Sequence, residues 1–564
     1  PSSVTHVGGS AIPKNTIIYA QADSEGHKYA EEGKYAYVLS GNANNISTNY
    51  KIEEEKIWDI SKNQDGSVMA KWTFADRTIR ISGSGEMKNW GDKEKNDWHG
   101  TQYTNVIKNV IIEDSVINIG KYAFYRCSSL ASIEIPSSVA SIGEEAFKEC
   151  SSLESVEIPN SVTSIGRNAF DECSSLASIE IPSSVTSIGA YAFFNCSSLA
   201  SIEIPSSVTS IEYATFKGCS SLVSIEIQSS ITSIEGSAFE RCSSLSSVEI
   251  PSSVTRIGWY AFDGCSSLTE IKVDINNEKY ADENGILYDK NKTKLICHPA
   301  GKAEKSFVIP SSVTSIGNYA FYGCSSLESI EIPSSVTSIG YRAFERCSSL
   351  ASIEIPSSVT SIEELVFWEC SSLASIEIPS SVTSIGNNAF CECSSLASIK
   401  IPSSVTHVGG SAIPKNTIIY AQADSEAHKY AEENKQGYII YEYEIKNNYV
   451  VKIKPNTTYN KFTYKMPING TYTIKEGEKE IGGTDLIKTG QILTTKKGEQ
   501  YTLVVLGDLN GDGKISLVEL ARISKIGAGK IKDYKEIEKM AIDANADGSI
   551  NILDMAAISK LAVE

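Results

Sequence analysis

Leu199-Ala-Ser-Ile202-Glu-Ile204-Pro205-Ser-Ser-Val208-Thr-Ser-Ile211, followed by a turn carrying Ala214, Phe216 and then Cys219, is one copy of a unit that fills most of the chain. Cysteine keeps the count. Cys127, Cys150, Cys173, Cys196, Cys219, Cys242 and Cys265 recur every 23 residues, and after one longer unit Cys324, Cys347, Cys370 and Cys393 resume the spacing. A fixed period of this length marks a solenoid. Within each copy the Leu-x-x-Ile-x-Ile run reads as a short strand with alternate side chains turned inward. The Val, Ile, Ala, Phe and Cys that follow complete an apolar lining. One unit cannot bury that lining, but stacked units can. The expected fold is mostly β.

The pattern resembles the BspA-like leucine-rich repeats of bacterial surface proteins over roughly residues 106–420. The resemblance implies a leucine-rich-repeat solenoid and leaves function open, since fold alone does not fix it. Residues 266–310 break the period with Asp282-Glu-Asn-Gly-Ile-Leu-Tyr288-Asp-Lys-Asn-Lys292, read as a hairpin inserted at about 269–309, with the composition of loop and strand and not of an active site. Residues 1–34 duplicate residues 402–435 except for Gly26 against Ala427 and Gly33 against Asn434. The second copy closes the array; the first is expected to close a preceding one, so that the chain begins inside a larger protein.

Five modules are expected: a closing segment at 1–39, a strand-rich N-terminal cap at 40–105, the solenoid with its closing segment at 106–440, a small β module at 441–505, and a small helical module with paired calcium loops at 506–564. The cap and the small β module both alternate apolar and polar residues, as in Arg77-Thr-Ile-Arg-Ile-Ser82 and Tyr501-Thr-Leu-Val-Val505. Trp58, Trp72, Trp90 and Trp98 are read as the core of the cap.

A net charge of −18 argues against nucleic acid, whose recognition requires a basic footprint. No run approaches the roughly 18–20 uninterrupted apolar residues of a membrane helix. Eleven of the 13 cysteines occupy one inward site of successive coils, where a free thiol behaves as a small apolar residue. They are expected to be reduced, and one thiol per coil does not supply a zinc site. Cys391 stands outside the ladder, as an outward-facing thiol.

Two sets of surface positions stand out. Ser132, Ser155, Ser178, Ser201, Ser224 and Ser247 run beside Glu134, Glu157, Glu180, Glu203, Glu226 and Glu249; Lys272 interrupts, Glu331, Glu354 and Glu377 follow, and Lys400 closes the row. Like charges opposite one another on adjacent strands are unfavourable, yet near-identical repeats copy such a column without selection for a ligand. Differences among copies fall in the turns, where Tyr122, Tyr125, Tyr191, Phe194, Tyr213, Trp259, Tyr260, Tyr319, Tyr322, Tyr341 and Trp368 sit. They are read mainly as cover for neighbouring coils, and as protein or sugar contacts in the alternative.

The last module carries two copies of one loop, Asp508-Leu-Asn510-Gly-Asp512-Gly513-Lys514-Ile-Ser516-Leu-Val-Glu519 and Asp543-Ala-Asn545-Ala-Asp547-Gly548-Ser549-Ile-Asn551-Ile-Leu-Asp554. Side-chain oxygens at loop positions 1, 3, 5, 9 and 12, with a carbonyl at position 7, suit calcium, and glycine at position 6 suits the sharp turn. The candidate ligands are therefore Asp508, Asn510, Asp512, Lys514 through its carbonyl, Ser516 and Glu519, then Asp543, Asn545, Asp547, Ser549 through its carbonyl, Asn551 and Asp554, holding two ions.

Residues 506–564 resemble a type I dockerin, the duplicated calcium module that plugs secreted proteins of anaerobic bacteria into cohesin modules on a scaffoldin. The resemblance implies a cohesin face at Leu517, Val518, Ser524 and Lys525 in the first copy and Ile552, Leu553, Ser559 and Lys560 in the second. The similarity of the two faces implies that either copy can dock. Glu519 departs from the Asp usual at position 12 and remains a competent ligand.

No catalytic constellation is legible. Of His6, His27, His99, His298, His407 and His428, four belong to the duplicated closing segment, and identical glutamates on every coil offer no asymmetry that would separate an acid from a base. The expected protein is a non-catalytic, extracellular or cell-surface component of an anaerobic bacterium. Its repeats bind an unidentified protein or glycan, and its dockerin tethers it to a cellulosome-like or cell-surface complex linked to polysaccharide degradation. A host- or cell-adhesion surface protein or fibre is the first alternative. A fragment of a glycan-active enzyme with its catalytic module upstream is the second.

Overall fold

The structure is a computed structural model and describes residues 18–20, 28, 37–39, 55–91, 98, 103–422, 424–440, 444–446, 449–453, 472–482, 486–495, 500–506 and parts of 508–558. The chain divides into two compact units. One takes Pro1–Val359, Glu363–Leu373 and Asn388–Cys393, the other Thr360–Ile362, Ala374–Asn387 and Ser394–Glu564.

In the first unit the repeat letters translate into stacked coils with a role for nearly every residue. Each Ser-Ile-Glu triplet is a three-residue strand with its middle side chain buried and its outer two exposed, as in Ser201–Glu203. Parallel pairing is in register at the repeat spacing, Ser201 with Ser224, Ile202 with Ile225 and Glu203 with Glu226. A second short strand, such as Ser210–Ile211, pairs likewise with Ser233–Ile234. Between them the Pro-Ser-Ser-Val segment closes on itself, Val208 N donating to Pro205 O at 3.0 Å.

The polar letters tie each coil to the one before. Ser230 Oγ donates to Val208 O at 2.8 Å and Thr232 Oγ1 to Thr209 O at 3.2 Å, and the same pair of contacts recurs along the array. Buried carbonyls require such partners. From Phe124 to Phe262 the phenylalanines form a continuous column, Phe193, Phe216 and Phe239 stacking at 5.7 Å with their planes within 7°. Each is fully buried, a contribution of roughly 2–3 kcal/mol per ring.

The cysteines have a use that their spacing did not disclose. Cys219 Sγ donates to Phe193 O at 3.1 Å, and Cys150, Cys173, Cys196, Cys242 and Cys265 make the same contact with the Phe carbonyl 26 residues earlier. A thiol is a weak donor that fits an apolar slot. All 13 cysteines are free, and burial pushes the ladder thiols well above their ordinary range.

Each regular turn from Tyr122 to Gly264 and from Tyr319 to Glu392 carries two left-handed residues, Tyr191 (φ 59°) and Asn195 (φ 54°) in one coil, Ala214 (φ 54°) and Gly218 (φ 78°) in the next. No β-branched residue takes either place in any described coil, as sterics require. The turns are knit by a backbone ladder: Tyr191, Phe193 and Asn195 donate to Tyr213, Thr215 and Lys217 of the following coil, and the three bonds repeat at each regular step from Tyr122 to Arg241.

That ladder stops at the inserted hairpin. Tyr280–Glu283, Ile286–Asp289 and Lys294–Cys297 form an antiparallel meander, and the last strand rejoins the array beside Ser315–Ile316. In this coil His298 takes the phenylalanine slot, its ring stacking on Phe321 at 5.2 Å and its backbone N–H donating to Ala320 O.

The N-terminal side of the repeats is covered by the antiparallel strands Glu55–Asp59, Val68–Thr73 and Thr78–Gly83, the last of which pairs in parallel with Asn109–Ile112. Trp58, Trp72, Trp90 and Trp98 are all buried there, and Trp98 extends the phenylalanine column onto Phe124 at 6.0 Å. Further upstream, Ile18–Ala20 pairs in parallel with Tyr37–Leu39. The duplicate segment does the same, Ile419 pairing with Tyr438 as Ile18 pairs with Tyr37.

The second unit holds Ser375–Glu377, Ser398–Lys400, Ile418–Ala421 and Tyr438–Ile440 as strands and the closing helix Glu426–Glu433. Ser425 caps that helix, accepting from His428 N, and Ala427, Tyr430 and Ala431 form its buried face. The strands expected in the small β module form one six-stranded sheet. Tyr449–Ile453 and Gln500–Val505 lie parallel and adjacent in it, and Ile492–Thr495 and Tyr472–Glu476 follow antiparallel.

Candidate functional site

At the start of the first calcium loop Asp508 is fully buried, and the backbone is folded around its carboxylate. Oδ1 accepts from Gly511 N at 2.8 Å and Asp512 N at 3.0 Å; Oδ2 accepts from Gly513 N and Thr489 N, both at 3.0 Å. Gly513 at position 6 has φ 81°, and a Cβ there would lie 2.8 Å from Ile487 O, so glycine is required twice over. At the end of the loop Glu519 is 4% exposed, and its Oε1 accepts from Leu509 N at 2.8 Å. Lys514 N donates to Asp512 Oδ1 at 2.9 Å.

Two carboxylates withdrawn from water in one loop are unfavourable unless a cation or hydrogen bonds compensate. The donor set is all oxygen, which matches calcium in preference to a soft metal. Among the described residues no three His, Cys, Asp or Glu side chains converge as a complete metal cage. Asn510, Ser516, Asp543, Asn545, Asp547, Ser549 and Asn551 lie outside the described residues, as do the cohesin-face positions Leu517, Val518, Ser524, Lys525, Ile552, Leu553, Ser559 and Lys560. Asp554, the last residue of the second loop, is described and buried.

The two copies meet in one small core. Ile523 of the first and Ile558 of the second, equivalent positions of the duplicate, pack with Ile526 and Ile542. The link to the β module went unseen in the sequence. Thr489 gives its N–H to Asp508, and its hydroxyl accepts from Val505 N at 3.0 Å. A backbone contact across 19 residues leaves no mark in residue type.

On the array, the glutamate column is as read: Glu157 faces Glu180 and Glu203 faces Glu226 in register, all exposed, and Glu249 faces Lys272. Most turn aromatics serve as cover. Tyr191 packs on Phe194 and Tyr213, Tyr319 on Tyr341, and the Arg342 guanidinium lies over the rings of Tyr319, Tyr341 and Trp368. Trp259 departs from this pattern, being 71% exposed. Cys391 is partly buried, and burial raises its thiol above the ordinary range, the reverse of an activated nucleophile.

One trio resembles catalytic machinery by residue type. His298 lies 2.6 Å from Glu304 through Nε2 and 3.4 Å from Cys324 Sγ through Nδ1. It sits in the core: Cys324 and His298 are each 2% exposed, and burial drives the thiol well up and the imidazole down. A thiol held protonated and out of reach of solvent does not attack. His298, hydrogen-bonded within the trio, fills the phenylalanine slot.

Comparison with known proteins agrees with this geometry. The BspA type leucine rich repeat region matches in six copies, over residues 101–200, 186–284 and 300–419, more than half of the chain. The chain belongs to that family. A type I dockerin domain matches residues 506–561, and such domains are calcium-binding modules. A leucine rich cell surface protein from Faecalibacterium prausnitzii A2-165 is 32% identical with a TM-score of 0.50, over 65% of this chain and 96% of that one. A leucine-rich repeat protein from Bacteroides ovatus ATCC 8483 is 25% identical with a TM-score of 0.39, over 66% and 97%. None of the curated proteins compared matches. As a BspA-type repeat protein ending in a dockerin, the chain combines two non-catalytic module types, and the dockerin implies a cohesin partner. No helix among the described residues is long and apolar enough to cross a membrane.

Proposed function

We propose that this is an extracellular, non-catalytic binding protein of an anaerobic bacterium. Its repeat array presents a surface to a protein or glycan, and its dockerin plugs it, with calcium, into a cohesin on a cellulosome-like or cell-surface complex linked to polysaccharide degradation. The observation that carries the reading is the first loop, in which Asp508 and Glu519 are buried inside a matched dockerin module. Asp508, Asn510, Asp512, the Lys514 carbonyl, Ser516 and Glu519 hold one ion, and Asp543, Asn545, Asp547, the Ser549 carbonyl, Asn551 and Asp554 a second. Calcium neutralises the gathered carboxylates so that loop and helix close together. Leu517, Val518, Ser524 and Lys525, or Ile552, Leu553, Ser559 and Lys560, then meet the cohesin.

The five module boundaries given by the sequence belong to the same proposal. An adhesive surface protein is the second reading, favoured by the likeness to a protein described as a cell surface protein. The test is binding to an immobilised cohesin panel by the full chain and by the Asp508→Ala, Asp543→Ala double variant. The reading expects binding by the first and at least a hundredfold loss in the second; undiminished binding by the variant overturns the assigned role of the loops.

A further inference from the structure

The backbone ladder between turns breaks at one step. In every regular coil from Tyr122 to Arg241 the three turn N–H groups donate to the next coil, and the pattern resumes at Tyr319, Phe321 and Gly323, which donate to Tyr341, Ala343 and Glu345. Tyr260, Phe262 and Gly264 are the equivalents just before the hairpin. None of their three N–H groups has an acceptor among the described residues. The hairpin coil replaces the usual turn by the tighter Cys297-His298-Pro299 corner, and even the strand bond of Ile257 N is taken over by the Tyr280 hydroxyl at 2.8 Å. A cavity of about 270 Å³ fills the gap, near the lower end of small-molecule pockets.

Its walls have a definite chemistry. Tyr260 and Tyr319 meet across the gap with ring centroids 4.2 Å apart, Tyr280 lines the floor, and Trp259, exposed, stands at the rim. Asp263 lines the same cavity, and its carboxylate forms no hydrogen bond or ion pair among the described residues, although Glu240 and Glu345 nearby are paired with Lys217 and Arg342. Burial and those two acids push its carboxyl well above the usual range, with Arg342 and Lys217 opposing.

We infer that this interruption is a glycan-binding site that takes one or two sugar rings, stacked on Trp259 and the tyrosines and hydrogen-bonded by Asp263 and the unpaired turn N–H groups. The alternatives fit less well. A cation suits the rings and carboxylate but faces N–H donors. An anion suits the donors but faces the carboxylate. A neutral polyol donates to one and accepts from the other, and buried polar groups left unpaired reject ligands that lack such hydroxyls. The inference rests on the reading of the array as a binding surface and names both site and ligand class.

The test is calorimetric titration of the full chain with cellobiose, xylobiose, mannobiose and lactose, and separately with tetramethylammonium and sulfate. Trp259→Ala and Asp263→Asn are compared with the parent, and the Trp259 change leaves the core intact because that side chain is exposed. Binding of at least one sugar, weakened about tenfold or more by each substitution, is the expected result. Three results overturn it: no sugar bound, sugar bound equally by parent and variants, or tetramethylammonium or sulfate bound in the sugars' place. Cohesin binding by the same samples is read in parallel, so failure of the tether and failure of this site are told apart.

Discussion

The repeat array and the first calcium loop solve one problem, burying polar backbone, by opposite means. In the array the partners are neutral and local: Ser230 and Thr232 hydroxyls, the Cys219 thiol and the ladder of turn N–H groups each meet a carbonyl of the adjacent coil. In the loop four backbone N–H groups converge on a single charged group, Asp508. A solenoid built the first way is stable as a sum of neighbour contacts and needs no ion. A loop built the second way, with Glu519 also buried, is expected to close only when a cation offsets its charge.

The largest effect that could break this contrast is removal of calcium. Thermal unfolding of the full chain followed by calorimetry is expected to show a calcium-dependent transition of the dockerin that a chelator abolishes, beside an array transition that does not move. An array transition that falls together with the dockerin would mean that the two are not separate in kind.

The reverse experiment is next in size. Phe216, fully buried between Phe193 and Phe239, is expected to cost about 3–5 kcal/mol when changed to Ala, lowering the array transition and leaving cohesin binding unchanged. A smaller loss would show that neighbouring coils collapse into the gap.

A finer test concerns one of the few charges within the array. Glu345 is 1% exposed; burial raises its pKa to about 7, Arg342 at 3.1 Å and Arg346 at 4.0 Å pull it down, and Glu369 opposes them. Since the folded value lies above the ordinary 4.5, the folded state holds the extra proton between the two values. Stability from this group is therefore present below about pH 4.5 and lost as pH rises to about 7, by an amount on the order of a few kcal/mol. Glu345→Gln is expected to flatten the array's stability over that window, as measured by denaturant unfolding at several pH values. An unchanged slope would place the proton elsewhere.

What the sequence disclosed follows from where the information lies. Period, strand register, the inward Cys and Phe and the outward Ser and Glu are written in residue type at fixed spacing, and the family resemblance added the dockerin. The thiol bond from Cys219 to the Phe193 carbonyl was hidden, because an inward cysteine reads as merely apolar. Thr489 was hidden because it contributes a backbone group. The cavity at Tyr260 and Asp263 was hidden because it comes from a missing acceptor in the next coil, and a hairpin reads as loop and strand whatever it fails to cover. His298 in the phenylalanine slot is legible only once the slots are aligned across the interruption.

A calcium-dependent tether is proposed to sit on an ion-independent array. Binding of the full chain to a panel of cohesins from anaerobic bacteria, in calcium and then in excess chelator, decides this. Tight binding to at least one cohesin, lost in chelator and restored by calcium, is the predicted result. Calcium uptake without binding to any cohesin would contradict it and reduce the terminal module to a structural clamp.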